Sequence, residues 1–315
     1  MHRIRRNDGM RTMNLGVSDL KVPVVGLGCM RLSGLSLHQA NQYLNICLEE
    51  GVNFFDHADI YGGGQCEELF GKALPMHADA RERIILQSKC GIVPGVMFDF
   101  SRAHILSSVE GILRRLGTEY LDVLLLHRPD ALMEPEEVAA AFDELYTSGK
   151  VRHFGVSNQR PYQMALLQKY VKQPLIANQL QLSLPVSNMI AAGLEANMTS
   201  DGAFDRDGGV LDYCRLNQIT IQAWSPYQMK EWQGPFIDNP RYEKLNALMA
   251  ELAEKYGTGK TGIATAWLLR HPAGIQVLPG TMNADRLRQA ARASEITLTR
   301  PEWYQLYLAA GHILP

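Results

Sequence analysis

Residues 121–130 read Leu-Asp-Val-Leu-Leu-Leu-His-Arg-Pro-Asp. A near-continuous apolar run of this length is the pattern of a strand covered on both faces, and it breaks off abruptly into charge and a proline turn. Helical patterns flank it. Upstream, Ala103 to Leu116 carries apolar residues at helical spacing. Downstream, Pro135 to Ser148 has an early proline, two glutamates in its first turn and Gly149 as a stop signal.

The same strand-then-helix unit recurs along the chain. Further strands are expected at Val24–Met30, Val52–Phe55, Arg83–Ser88, Val151–Val156, Leu175–Leu182, Ile219–Trp224 and Gly274–Leu278. Helices are expected near Leu37–Glu50, Glu67–Leu74, Tyr162–Val171, Tyr242–Tyr256, Gly262–Arg270 and Asp285–Ala293. Eight strands alternating with helices favour a closed (β/α)8 TIM barrel over an open sheet. Met10 to Leu27, with turn signals around Gly16 and Asp19, reads as an N-terminal β-hairpin. Two long connections, 184–210 and about 225–240, follow strands on the C-terminal face, where such a barrel keeps its site. Both read as loops covering cofactor and substrate.

The 315 residues, 46% of them hydrophobic, can bury a large core. Residues 10–315 are expected to form one domain, with 1–9, including Arg3, Arg5 and Arg6, as a flexible tail. A formal charge of −2 shows no basic excess, so no nucleic-acid partner is expected. Five cysteines without a CxxC pair fit reduced thiols in a cytoplasmic protein. No apolar stretch is long enough for a membrane span.

Four polar residues stand at or just past predicted strand ends: Asp56 and Tyr61 in Phe-Phe-Asp-His-Ala-Asp-Ile-Tyr-Gly (54–62), Lys89 in Ile-Leu-Gln-Ser-Lys-Cys-Gly (85–91), and His127. A lone lysine closing an apolar strand must be paired or functional, because an unpaired buried ammonium is costly, and Asp56 supplies a partner. A tyrosine titrates near 10, too high for proton transfer at neutral pH. A cation about 4 Å away, at an effective dielectric near 20, is worth roughly 4 kcal/mol. That lowers the expected phenol pKa to near 7. His127 is then placed to hydrogen-bond a substrate carbonyl. The set points to a proton-donating site for carbonyl reduction.

Rival motifs fare less well. His57, Asp59 and His127 offer a conceivable metal set, but no HxH, HExxH or Cys/His cluster is present, and no metal is expected. Gly257-Thr258-Gly259-Lys260-Thr261 resembles a P-loop fragment, yet Glu254 replaces its first glycine and no strand precedes it; a helix cap accounts for it better. Gly26-Leu27-Gly28 is followed by Arg31, so no Rossmann fingerprint exists. The remaining phosphate candidate is Leu278-Pro279-Gly280-Thr281, leading into a helix with Arg286 and Arg288, which suits the 2′-phosphate of NADP.

Together these residues resemble the aldo-keto reductase family from about Met10 onward, with wording most similar to the bacterial YdhF-type branch. Asp56, Tyr61, Lys89 and His127 match its catalytic tetrad in order. The resemblance implies that Ser157 and Asn158 of Gly155-Val156-Ser157-Asn158, with Gln179, bind a nicotinamide carboxamide. It also implies that Trp224 of Ala223-Trp224-Ser225-Pro226 stacks beneath the ring. Cys29, Met30, Asp56, Ser225, Pro226, Gly280, Thr281 and Arg286 complete the implied cofactor set. Gly280 stands where many members carry a lysine, and Ala290 replaces a polar residue, so Arg286 carries the implied NADP(H) preference. Tyr61 is the implied proton donor toward a small-molecule aldehyde or ketone, in a monomer or weak homo-oligomer. The contrasting expectation is a barrel that binds the nucleotide but turns over too slowly to matter.

Overall fold

The computed structural model describes residues 9–314; the tail expected over 1–9 lies outside it apart from Gly9. A short antiparallel hairpin, β1 (Thr12–Asn14) and β2 (Lys21–Pro23), leads into the barrel strand β3 (Leu27–Gly28). The other barrel strands are β4 (Phe54–Asp56), β5 (Ile85–Cys90), β8 (Leu121–Leu126), β9 (Val151–Ser157), β10 (Leu175–Gln181), β11 (Thr220–Trp224) and β12 (Gln276–Leu278). A small hairpin in the loop after β5 supplies β6 (Ile92–Val93) and β7 (Met97–Phe98). Each barrel strand runs parallel to its neighbours in the order β12-β11-β10-β9-β8-β5-β4-β3. The ring closes through backbone bonds at the seam: Gly26 N–H donates to Val277 O, and Val277 N–H to Val24 O, both at 2.9 Å. The barrel expected from the sequence is therefore present.

Helices α1 (Leu37–Glu49), α2 (Gln65–Ala73), α4 (Arg102–Leu116), α5 (Pro135–Thr147) and α6 (Pro161–Gln168) surround the first strands, with a short α3 (Ala78–Arg81) before β5. Around the later strands lie α7 (Asn188–Leu194), α8 (Val210–Leu216), α9 (Glu243–Tyr256), α10 (Lys260–Leu269), α11 (Ala284–Arg292) and α12 (Arg300–Ala309). Gly257 caps α9 in the left-handed conformation and Gly259 starts α10, so the P-loop-like run is a pair of helix caps.

The two-residue period of a strand explains the interior. In β5, Ile85, Gln87 and Lys89 share one face while Leu86 and Ser88 take the other. The inward floor is apolar: Phe54, Ile85, Val123 and Ile176 pack with Leu15 and Val22 of the hairpin, which plugs the barrel floor, and Leu125 and Leu278 continue this cluster toward the strand ends. Above it lies a polar layer, and above that the ends of the strands. Outward residues such as Phe55, Leu86, Leu124 and Val277 join the main core beneath the helices.

Three expectations need revision. The first strand does not extend to Met30, because Cys29–Gly34 already forms a 3-10 turn. Residues 184–210 are not an open loop: they hold α7, anchored to the chain's end where His312 Nε2 meets Leu184 O at 2.8 Å. The helix α12 was not expected at all. Its buried Trp303 stacks on Trp267 of α10 at 4.8 Å, and the two exchange indole N–H bonds to each other's carbonyls.

Candidate active site

The inward parity of β4 and β5 brings Asp56 and Lys89 together at the C-terminal mouth. Lys89 is fully buried, and its Nζ donates to both Asp56 carboxylate oxygens and to His57 O, each at 2.8 Å. Its remaining neighbour is the Tyr61 hydroxyl at 3.2 Å. Tyr61 sits on a tight 3-10 turn whose following glycines, Gly62 and Gly63, adopt positive φ (59° and 62°), a region that side chains other than glycine's resist. That turn folds the phenol back over the ammonium. His127, just past β8, faces Tyr61 edge-on with ring centroids 6.0 Å apart. The four sequence-predicted residues thus form one cluster.

Burial disfavours the Lys89 ammonium, but Asp56 and Tyr61 more than offset it, and its pKa lies above the usual lysine value. Tyr61 differs from expectation. Burial pushes the phenol up, Lys89 pulls it down, Asp56 pushes it up again, and the outcome is above the ordinary tyrosine value rather than near 7. The value near 7 expected from the lysine alone leaves out the burial of the phenol, the largest cause, and the carboxylate that holds the lysine. Bound by both oxygens of a carboxylate, Lys89 presents the phenol with the much weaker field of an ion pair. Burial, with Lys89 and Arg128 nearby, drives His127 down to about 2, so its imidazole is neutral. His57 is likewise neutral, with its pKa lowered to about 3 by burial, and packs edge-on to Phe70 at 4.6 Å. Among the described residues no group of three or more His, Cys, Asp or Glu could hold a metal ion.

Beneath the cluster lies a polar layer of which only Gln179 is named from the sequence. Gln87 Nε2 donates to Asp56 Oδ1 at 2.6 Å and Gln179 Nε2 to the same oxygen at 3.0 Å. Gln87 and Gln222 exchange amide bonds at 2.9 and 3.0 Å. Gln222 then donates to Gln276 at 2.9 Å, and Gln276 to Pro23 O at 2.9 Å. Side-chain amides from four strands, every one buried, thus link Asp56 to the hairpin plug. Parity was the available signal: Gln87 lies two residues before Lys89, and Gln222 two before Trp224.

The cluster forms the floor of a cleft of about 880 Å³. Met30, Ser157, Asn158, Gln179, Trp224, Ser225, Pro226, Gly280, Thr281 and Arg286 line it, whereas Cys29 is packed in the core and does not. Ser157 Oγ donates to Gln179 O at 3.0 Å, and Asn158 Oδ1 accepts the Trp224 indole N–H at 3.1 Å. Asn158 and Ser225 both hold positive φ (58° and 50°), strained positions that point to the site. Gln228, Pro235 and Ile237 of the loop after β11 form one wall, while nothing from 184–210 reaches the cleft. At the far end Asn283 caps α11, accepting from Arg286 N–H at 3.0 Å, beside Thr281. Arg288 is paired with Asp285 and Glu50, leaving Arg286 as the cation directed to the cleft. Arg31 spans the rim, donating to Gly280 O at 3.0 Å, and so brings a guanidinium beside the residue that lacks a lysine. Ala290 is fully buried in the core and presents nothing to the cleft.

Gly155 is fixed by close approach rather than by φ. A Cβ there would meet Ala177 O at 2.7 Å and Leu125 Cδ2 at 2.8 Å. Gly155→Ala is expected to cost about 1–3 kcal/mol by urea denaturation. An unchanged midpoint and slope would show that β9 is free to shift.

An eight-stranded parallel barrel whose mouth holds this Asp–Tyr–Lys–His cluster beside a groove ending on a helix N-terminus defines an oxidoreductase framework. The chain belongs to the aldo/keto reductase family, whose model matches residues 24–307. It is 36% identical to Oxidoreductase YdhF of Escherichia coli over 290 residues, covering 89% of this chain and 91% of that protein. To a 6-dehydroglucose reductase of Agrobacterium fabrum it is 35% identical over 276 residues, 85% and 86% of the two chains. It also resembles an aldo-keto reductase from Klebsiella pneumoniae solved with NADPH, at TM-score 0.75 and 26% identity over 94% of each chain.

Proposed function

We propose that this protein is an NADP(H)-dependent reductase of small aldehydes or ketones in which Tyr61 gives the proton. The reading rests on one observation: a fully buried ammonium, held by both oxygens of Asp56, lies 3.2 Å from the Tyr61 hydroxyl in the floor of a cleft. The cofactor fits the residues present. The exposed start of α11 offers backbone amides for phosphate, with Arg286 and Arg31 as cations. Trp224 and the strained Asn158 offer a flat ring and an amide where the nicotinamide end would lie. When bound, the cofactor supplies the hydride. The solved NADPH complex of the Klebsiella relative supports this assignment.

The chain's own groups do the rest. Tyr61 places an O–H toward the carbonyl oxygen, and neutral His127 adds a second hydrogen bond without competing as a base. Lys89 stabilises the phenolate left after proton release. Asp56 keeps the lysine charged and fixed, and the amide layer fixes Asp56.

Because burial holds Tyr61 above its ordinary value, the acid form persists through neutral pH. Reduction requires that form, so its rate is expected to stay level from about pH 6 to 9. Alcohol oxidation requires the phenolate, so it should rise with pH across the same range. A reduction rate already falling at neutral pH, with chemistry rate-limiting, would contradict this assignment. The function itself is tested by following NADPH absorbance with a panel of aldehydes and ketones. Turnover is expected; tight NADPH binding without turnover would replace the reductase by a nucleotide sensor.

A further inference from the structure

The cleft is lined by three arginines, Arg31, Arg128 and Arg286, against one carboxylate, Asp56, which Lys89 already neutralises. Two of the three lie at the seam. Arg31 follows β3 and Arg286 follows β12, and these adjacent strands carry the groove toward α11. Arg128 follows β8, which stands opposite β12 in a ring of eight. It therefore lies across the mouth from the phosphate-binding end and next to His127. Its guanidinium sits 5.8 Å from the centre of the Trp224 ring, near the outer limit of a cation–π contact. Among the described residues no carboxylate pairs with it and no hydrogen bond ties it down. It is only partly exposed, so solvent does not fully replace a partner.

A half-buried guanidinium without a counter-ion, at the reacting end of a cleft, is a vacant fork for a planar anion. From this we infer that Arg128 selects substrates carrying a carboxylate close to the carbonyl, such as a 2-oxo acid or a short aldehyde acid. The inference rests on the reductase reading above and narrows it to a chemical class. Geometry favours a short spacing, because Arg128 adjoins His127 in the chain and Tyr61 faces His127 at 6.0 Å. A carboxylate on the guanidinium then leaves the neighbouring carbonyl within reach of both hydrogen-bond donors. His127 stays neutral beside this cation, so it does not compete for the anion.

Matched pairs test it: glyoxylate against glycolaldehyde, and pyruvate against hydroxyacetone, with NADPH saturating. Wild type is expected to favour the anionic member in kcat/KM, mainly through KM. Arg128→Met should reduce that ratio by about 10- to 100-fold, the loss of one charged hydrogen-bonding pair. Arg128→Lys, which keeps the charge but not the fork, should retain part of it. A ratio near one in wild type, or a ratio that survives Arg128→Met, overturns the inference while leaving the reductase reading intact.

A second measurement does not need turnover. Isobutyrate and isobutyramide have nearly the same shape, and each is titrated into the NADP⁺-loaded protein by calorimetry, with the cofactor covering Arg31 and Arg286. Saturable binding of isobutyrate alone, lost in Arg128→Met, supports the anion site even if no aldehyde were reduced, in which case the reductase reading alone would fall. Equal binding of acid and amide overturns the site.

Discussion

Tyr61→Phe is expected to lower kcat for aldehyde reduction by about 100- to 10,000-fold, the usual worth of a positioned general acid. The substitution removes one oxygen and leaves the ring on its glycine turn, so the loss should fall on chemistry. NADPH affinity, read by fluorescence titration, should change by no more than about threefold. The phenol meets Lys89 and the cleft but makes no hydrogen bond that supports the barrel wall. Stability should therefore hold, apart from a small change where the ammonium loses its fourth neighbour. Turnover near the wild-type rate would move the proton donor elsewhere, and His127, held neutral at about 2, is poorly suited to replace it.

The second large effect is on stability. Lys89→Met leaves the Asp56 carboxylate 3% exposed and without its cation. Breaking a buried pair from one side typically costs about 3–5 kcal/mol, because the orphaned charge remains in a dry site. The amides of Gln87 and Gln179 still donate to Asp56 and place the expected loss near the lower end of that range. Urea denaturation at neutral pH checks it. Adding Asp56→Asn should recover much of the loss, since the double variant no longer buries a charge. A single variant as stable as wild type would mean that the pair is solvated in solution.

Much of this was legible before any coordinates. Residues 121–130 announced a buried strand, and the repetition of that unit announced the barrel. The four cluster residues could be named because polar groups ending apolar strands are conspicuous. Gln87, Gln222 and Gln276 were not seen, because a glutamine within a strand looks like an ordinary polar outward residue unless parity with a known inward neighbour is checked. Helix α12 escaped although Thr299 and Glu302 form a reciprocal cap with Pro301 in the first turn. Cys29 shares a motif with residues that line the cleft, yet the 3-10 turn at its position rotates the thiol into the core. The direction of the Tyr61 shift was misjudged for a different reason. Lys89 was weighed without the burial that raises the phenol most, and without Asp56, which opposes the lysine's field. Pairwise reasoning from sequence finds which groups meet but not how a third one alters them.

The most direct test of the proton-donating phenol is the single-turnover rate of NADPH consumption with one neutral aldehyde, measured in H₂O and in D₂O between about pH 6 and 9. The hydride step is shown to limit the rate by a slowing with deuterated cofactor. A protonated Tyr61 locked against Lys89 predicts a slower reaction in D₂O of constant size across the range, and no solvent effect on the residual rate of Tyr61→Phe. Identical rates in the two solvents, or an effect that survives removal of the hydroxyl, would contradict it.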